Sequence, residues 1–399
     1  MNYHSISSDS LKRAAQILCD GGLVAFPTET VYGLGADAFN PSALAKVFEA
    51  KNRPHFDPLI VHIAEIEMLE NVADLSLLND EARKKLFLLA ENLWPGPLSI
   101  ILPKNKKIPA LATSGLDTAA IRFPDHPVAQ KLIILSTGAV AAPSANPFGS
   151  LSPTRAEHVR DKLGDKVDMI LDGGSTRIGL ESTVLDITGE NIRILRPGGT
   201  PRDLIEKLIG FIPINNEQLK ANNEQESFAS PGMLKSHYAP TKPLFVLNKT
   251  QIIEQTYEKG DAFLFFDTST KNDWLKKHLP ALNSVGFSAE TVVTRTLSES
   301  KQPLEAAREA AAGLFETLHE LDKCQMSLSQ KLRTSGSVSF ETGFRKSVIN
   351  AAFPFKSKEA VPKTEVLGQP QITRIFAQFA PSEGLGEAIN DRLQRASSA

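Results

Sequence analysis

The chain has 399 residues, 41% of them hydrophobic and 23% charged, and its formal net charge is -2. That length exceeds one ordinary hydrophobic core, so two domains are expected. The near-neutral charge argues against a strongly basic nucleic-acid binder, while leaving room for a small local basic site.

Met1 to Ser5 carry no basic stretch followed by an apolar run, so no secretory signal is expected. No segment reaches the ~18 apolar residues of a membrane span. The two cysteines, Cys19 and Cys324, match neither a metal spacing nor a disulfide framework. A reducing, cytoplasmic location is the expectation.

Residues 9–20 read as a helix capped by Ser8 or Asp9, with Leu11, Ala14, Ala15 and Leu18 on one face. A short buried strand follows at Leu23–Phe26, then a helix after Pro41, then strands at 58–63, 98–102, 119–123 and 139–142. Helical segments fall near 80–93, 125–136 and 154–163, and further strands at 183–187 and 192–196. Strands alternating with helices imply α/β layers. A helix from Pro201 to about Ile209 closes a first domain at 1–211. An Asn- and Gln-rich linker covers 212–242, and a second α/β unit occupies 243–399. Its strands are expected at 244–247 and 262–266, its longest helix at 303–321 and its last strand at 372–377.

Four constellations in the first domain offer chemistry. Pro27 to Gly35 mixes hydroxyls, a carboxylate and two glycines, where glycine permits close approach to a ligand or simply makes a turn. Lys51-Asn52-Arg53-Pro54 places two cations ahead of a fixed proline. They suit a phosphate clamp, or equally the C-terminal end of a helix. Pro143-Ser144-Ala145-Asn146 follows an apolar strand, at the carboxyl end where open α/β sheets bind ligands. Asp172-Gly173-Gly174, Gly179 to Thr183 and Arg196-Pro197-Gly198 again flank strands with small residues, hydroxyls and an arginine. Arg122 and His62 lie within apolar strands. The arginine requires an anion there, from the protein or from a ligand. Positioning and charge neutralisation suit this inventory better than covalent catalysis.

Taken in order, these segments resemble the YrdC/Sua5 family of threonylcarbamoyl-AMP synthases. Ser230-Pro231-Gly232-Met233 with His237-Tyr238-Ala239-Pro240, and Gly384 to Leu393, resemble the linker and terminus of the long, two-domain Sua5 form. The resemblance implies a twisted mixed-sheet catalytic domain and a smaller Rossmann-like α/β C-terminal domain. It implies synthesis of threonylcarbamoyl-adenylate from threonine, bicarbonate and ATP, with pyrophosphate released. A downstream threonylcarbamoyl-transferase protein then modifies transfer RNA, which this chain would meet only indirectly.

Carried over residue by residue, Lys51, Arg53, Ser144 and Asn146 form the catalytic pairs. Arg53, Asp57, Thr118, Ser144, Ser152 and Arg196 meet ATP. Thr30, His62, Arg122 and Ser182 surround threonine. Magnesium is expected on the phosphates, held by phosphate and water rather than by protein ligands. Asp57 stands where the family usually has Asn, so its contact depends on facing magnesium or Arg53. Residues 230–240 are expected to form a lid, and 324–370 an insertion that the family does not explain. Two rivals are a nucleic-acid-binding module without ATP turnover, and carbamoyl-adenylate handling in cofactor maturation.

Overall fold

A computed structural model describes residues 3–213, 238–284, 292–323 and 372–398. Residues 324–370, expected to form an insertion, and most of the linker lie outside the described residues. Of the expected lid, Tyr238 to Pro240 are described.

The first domain is built on ten strands: β1 Tyr3–Ser5, β2 Val24–Phe26, β3 Gly33–Asp37, β4 Ile60–His62, β5 Leu98–Pro103, β6 Thr118–Arg122, β7 Val140–Ala141, β8 Met169–Asp172, β9 Thr183–Asp186 and β10 Arg193–Arg196. Their order is β1-β8-β2-β3-β7-β4-β6-β5-β9-β10, a mixed sheet in which β4 runs parallel to β6 and antiparallel to β7. The helices are α1 Ser8–Cys19, α2 Pro41–Lys51, α3 Leu69–Val72, α4 Asp80–Leu93, α5 Pro127–Leu135, α6 Ala156–Leu163 and α7 Arg202–Ile209.

The cap of α1 is Ser7 rather than Ser8 or Asp9. Its Oγ accepts from Ser10 N at 3.0 Å, while Ser10 Oγ accepts from Ser7 N at 2.8 Å, a reciprocal box. Helix α2 starts on Asn40, whose side chain accepts from Ser42 N and Ala43 N, with Pro41 at its first turn. It stops on Asn52 in the left-handed region, φ 51°. That stop sets Lys51 and Arg53 on either side of the helix end.

The second domain is a parallel four-stranded sheet, with β11 Leu244–Leu247, β12 Asp261–Asp267, β13 Val293–Ser298 and β14 Arg374–Gln378 in the order β11-β14-β12-β13. Strand β12 is buried on both faces, as a central parallel strand requires. Phe263 and Phe265 pack with Ile252 and Trp274, from α8 Lys249–Glu254 and α9 Thr268–Ser284. Ala262 and Leu264 face Leu314, Phe315 and Ile389, from α10 Pro303–Lys323 and α11 Gly386–Ser397. Alternation along one strand thus separates the two helical layers.

The domains share one apolar cluster, in which Val31, Leu151 and Leu180 of the first join Ala307, Leu314 and Phe315 of the second. Gly179 allows this contact. Its φ is +74°, and a Cβ there would lie 2.5 Å from Ala311 O. Ion pairs Lys323–Asp161 at 2.7 Å and Arg202–Glu387 at 3.2 Å rim the interface. Within it, the rings of His158 and His319 stack at 3.9 Å, and His319 Nε2 lies 3.0 Å from Ser152 O.

Burial pushes His158 down to about 3 and His319 to about 4, with nearby cations adding to the shift. Their folded values lie below the unfolded value of about 6.5, so their contribution is present above about pH 6.5 and lost as pH falls toward the folded values. The thermal midpoint should therefore drop between about pH 6.5 and pH 4.5. His319→Gln, which cannot charge, should flatten part of that drop; equal slopes in calorimetry would remove the pair from the acid response.

Candidate active site

The sheet carries its polar pocket on one face. Ile60 and His62, two residues apart in β4, both line it, and so does Arg122, the register partner of His62 in β6. The expectation of a site beyond the carboxyl ends of strands is therefore corrected in part. Ser144 does follow β7, but the floor is the sheet face itself, continued by the buried cluster of Ile60, Ile101, Ala120, Val184 and Leu195.

Loops close the walls. Thr28 Oγ1 lies 2.8 Å from Thr30 Oγ1 and donates to Val31 O at 2.7 Å, folding the segment after β2 into a tight turn. The segment before β9 is pinned to this turn, because Ile178 N and Gly179 N donate to Glu29 O and Thr30 O at 2.8 and 3.1 Å. Ser182 Oγ lies 2.8 Å from Ser99 Oγ, and Arg196 Nη2 donates to Ser182 O at 2.9 Å. Thr30, Arg53, His62, Arg122, Ser144, Ser182 and Arg196 all line the pocket, so seven of the candidate residues converge.

The other candidates stand elsewhere. Lys51 is fully buried behind the wall, and its Nζ donates to the carbonyls of Ser144 and Asn146. It holds the Ser144–Asn146 loop instead of reaching out as half of a phosphate clamp. Burial, and next the charge of Arg53, drive its ammonium well below the usual range. Asn146 is also turned inward, with Nδ2 donating to Ser150 O at 2.8 Å and Pro147 O at 3.0 Å. Asp57 faces Arg53, 2.9 Å from Nη2, while Arg53 also donates to Asp57 O and Pro58 O. Ser152 Oγ donates to Glu181 Oε1. Thr118 lies off the pocket but on the same sheet face as Arg122, four residues and so ~13 Å along β6.

Three groups in or directly behind the pocket wall had no assigned role in the sequence. Glu29 is buried and pairs with Arg122 Nη2 at 2.6 Å, which answers how that strand carries a guanidinium. Glu181 lines the pocket and pairs with Arg392 of α11 at 2.7 Å. Tyr238, at the end of the linker, is buried in the wall with φ 65° and lies beneath the Arg392 guanidinium. An acid beside hydroxyl residues at the edge of an apolar strand, as at 29 and 181, is the signal that marks such groups. Gly35, read as room for a ligand, serves packing: a Cβ there would meet Phe26 and Val140 within 2.9 Å.

His62 is held neutral, pushed down to about 3 by burial first and the Arg122 charge second. The pocket is thus lined by guanidiniums, hydroxyls and the Glu181 carboxylate, with its imidazole neutral near pH 7.

A mixed sheet bearing an arginine-lined pocket, backed by a parallel α/β domain, defines a two-domain α/β protein with one polar cleft. The model for Sua5, YciO and YrdC, described as telomere recombination, matches residues 16–198, and that for the C-terminal domain of threonylcarbamoyl-AMP synthase matches 200–350. The threonylcarbamoyl-AMP synthase of Pyrococcus abyssi is 47% identical over 237 residues, covering 59% of this chain and 67% of the relative. That of Bacillus subtilis is 44% identical over 261 residues, covering 64% and 73%. The crystal structure of P. abyssi Sua5 complexed with L-threonine superposes with a TM-score of 0.72 at 34% identity, covering 99% of this chain and 96% of that one. The chain belongs to the Sua5/YrdC family, in its long, two-domain form.

Lys51→Met should leave two carbonyls without their donor, each hydrogen bond being worth roughly 1–3 kcal/mol. ATP turnover should fall about tenfold or more, and the amides of Ala145 and Phe148 should exchange faster with deuterium. Normal exchange at both would show that the lysine does not hold the loop.

Proposed function

We propose that this pocket forms L-threonylcarbamoyl-adenylate from L-threonine, bicarbonate and ATP, for N6-threonylcarbamoyladenosine modification of transfer RNA. The observation that carries this reading is the convergence of Arg53, Arg122 and Arg196 on one pocket. The likeness across both domains to a chain crystallised with L-threonine supports it. The relatives named threonylcarbamoyl-AMP synthase favour turnover over a nucleic-acid module without it.

The chemistry explains why three guanidiniums are useful. The amine of threonine and bicarbonate give a carbamate and water. A carbamate oxygen then attacks the α-phosphorus of ATP, the bond to the β-phosphate oxygen breaks, and pyrophosphate leaves. Both partners are anions, so the protein must hold them together and screen their repulsion. Thr30, His62, Arg122 and Ser182 surround threonine and its carbamate. Arg53, Ser144 and Arg196 meet the phosphates. Thr118 lies where a nucleotide running along the sheet face would reach, and Ser152 belongs to the same side through Glu181. Asp57 acts through Arg53 in this reading and does not touch phosphate.

Magnesium enters with ATP. The carboxylates around the pocket, Glu29, Asp57 and Glu181, are each paired with an arginine, so phosphate oxygens and water would hold the ion. When bound, it neutralises phosphate charge. The adenylate is an activated mixed anhydride, which calls for prompt transfer to a downstream threonylcarbamoyl-transferase protein; transfer RNA is reached only through that partner. Among the described residues no helix is long and apolar enough to cross a membrane, and a cytoplasmic location fits this role.

Pyrophosphate release from ATP should require both threonine and bicarbonate. A site that hydrogen-bonds the threonine hydroxyl should discriminate against 2-aminobutyrate by about tenfold or more in kcat/KM. Equal rates would show that the hydroxyl is not read, and release independent of threonine would overturn the function. Arg53→Ala should lower kcat/KM for ATP by about ten- to a hundredfold with the fold intact; near-normal kinetics would remove it from the site.

A further inference from the structure

Arg392 is 1% exposed and sits in α11, the last helix of the second domain, yet most of its guanidinium is spent on the first. Its Nε donates to Glu181 Oε2 at 2.7 Å and its Nη2 to Pro197 O at 3.1 Å. Its central carbon lies 4.9 Å from the ring centre of Tyr238, and Nη1 pairs with Asp391 beside it. Each of the first three partners belongs to the pocket or adjoins it. Glu181 receives the Ser152 hydroxyl on its other oxygen, Pro197 follows Arg196, and Tyr238 is part of the wall.

We propose that Arg392 is a positioning residue for the ATP side of this active site, acting through Glu181 on Ser152 and through Pro197 on Arg196. The inference rests on the reading of the pocket given above. The second domain then supplies an essential counter-ion to the catalytic domain. Burial works against ionisation of Glu181, while Arg392 first and Arg196 second outweigh it and hold the carboxyl below its usual range. Without Arg392, Glu181 has two outcomes. It turns to Arg196, which now donates to Ser182 O, or it takes a proton and changes its bond with Ser152. Either outcome disturbs the ATP side. The threonine side keeps its own pair, Arg122 with Glu29, and is touched only through Ser182, whose hydroxyl Ser99 also holds, so it is disturbed less. An ordinary interdomain salt bridge would have no such asymmetry.

The test uses the full-length protein, with pyrophosphate release measured against ATP at saturating threonine and bicarbonate, and against threonine at saturating ATP. Arg392→Met should raise KM for ATP by about tenfold or more and leave KM for threonine within about twofold. Glu181→Gln should raise KM for ATP a few-fold, and adding Arg392→Met to it should cost much less than in the parent.

An unchanged KM for ATP, equal rises in both KM values, or independent effects of the two substitutions would overturn the proposal. If Arg392→Met does not fold, Glu181→Gln decides alone, and a parental KM for ATP in that variant overturns it. A parent protein without threonine-dependent turnover would overturn the functional reading and this inference together, and is thereby distinguished from failure of the inference alone.

Discussion

A guanidinium cannot be buried without an anion, and this pocket contains three. The protein meets that constraint with carboxylates at and behind the wall: Asp57 for Arg53, Glu29 for Arg122, and Glu181, paired with Arg392, whose charge also acts on Arg196. The pairs fix the directions of Arg53 and Arg122 before any substrate arrives, and the Ser182 carbonyl fixes that of Arg196. A site that must bring one anion against another benefits from cations already oriented, because no reorganisation remains to be made during the reaction. The local folds around the pocket follow from these pairs. The α2 stop at Asn52 delivers Arg53 to Asp57, the turn after β2 delivers Glu29 to β6, and the docking of α11 delivers Arg392 to Glu181.

The same constraint explains the interface between the domains. Gly179 lets α10 approach the backbone just before Glu181, so the apolar contact and the buried ion pair lie side by side. The hydrophobic cluster excludes water from a place where a charge pair is strongest and where a missing partner is most costly. Substrate pocket and domain interface are therefore two sides of one wall.

Much of the layer structure was legible in the sequence because apolar runs set it. The segments at 24–26, 60–62, 98–103 and 183–186 are strands, and 303–323 is a helix, close to where periodicity put them. Strand β3 was not legible. Gly33-Leu34-Gly35-Ala36-Asp37 has poor intrinsic strand character, and it is extended because β2 and β7 hold it from both sides, with Phe26 covering both glycines. At the site, motif order found the residues that line the pocket but not what lies behind them. Lys51 reads as a surface cation by type, yet two carbonyls draw it inside. Glu181 and Arg392 are 211 positions apart, and no local pattern joins them. Long-range charge pairing is invisible to periodicity, since it depends on how the second domain docks.

That separation also has a meaning in time. A ribosome adds about 5–20 residues per second, so the codon for Arg392 is read about 10–40 s after that for Glu181. For that interval the nascent first domain carries an acid whose designed neighbour does not yet exist. The carboxylate has to stay hydrated or protonated, and the wall that contains it cannot set. An assembled active site thus reports that synthesis has passed α11, because that helix is the one that seals the wall.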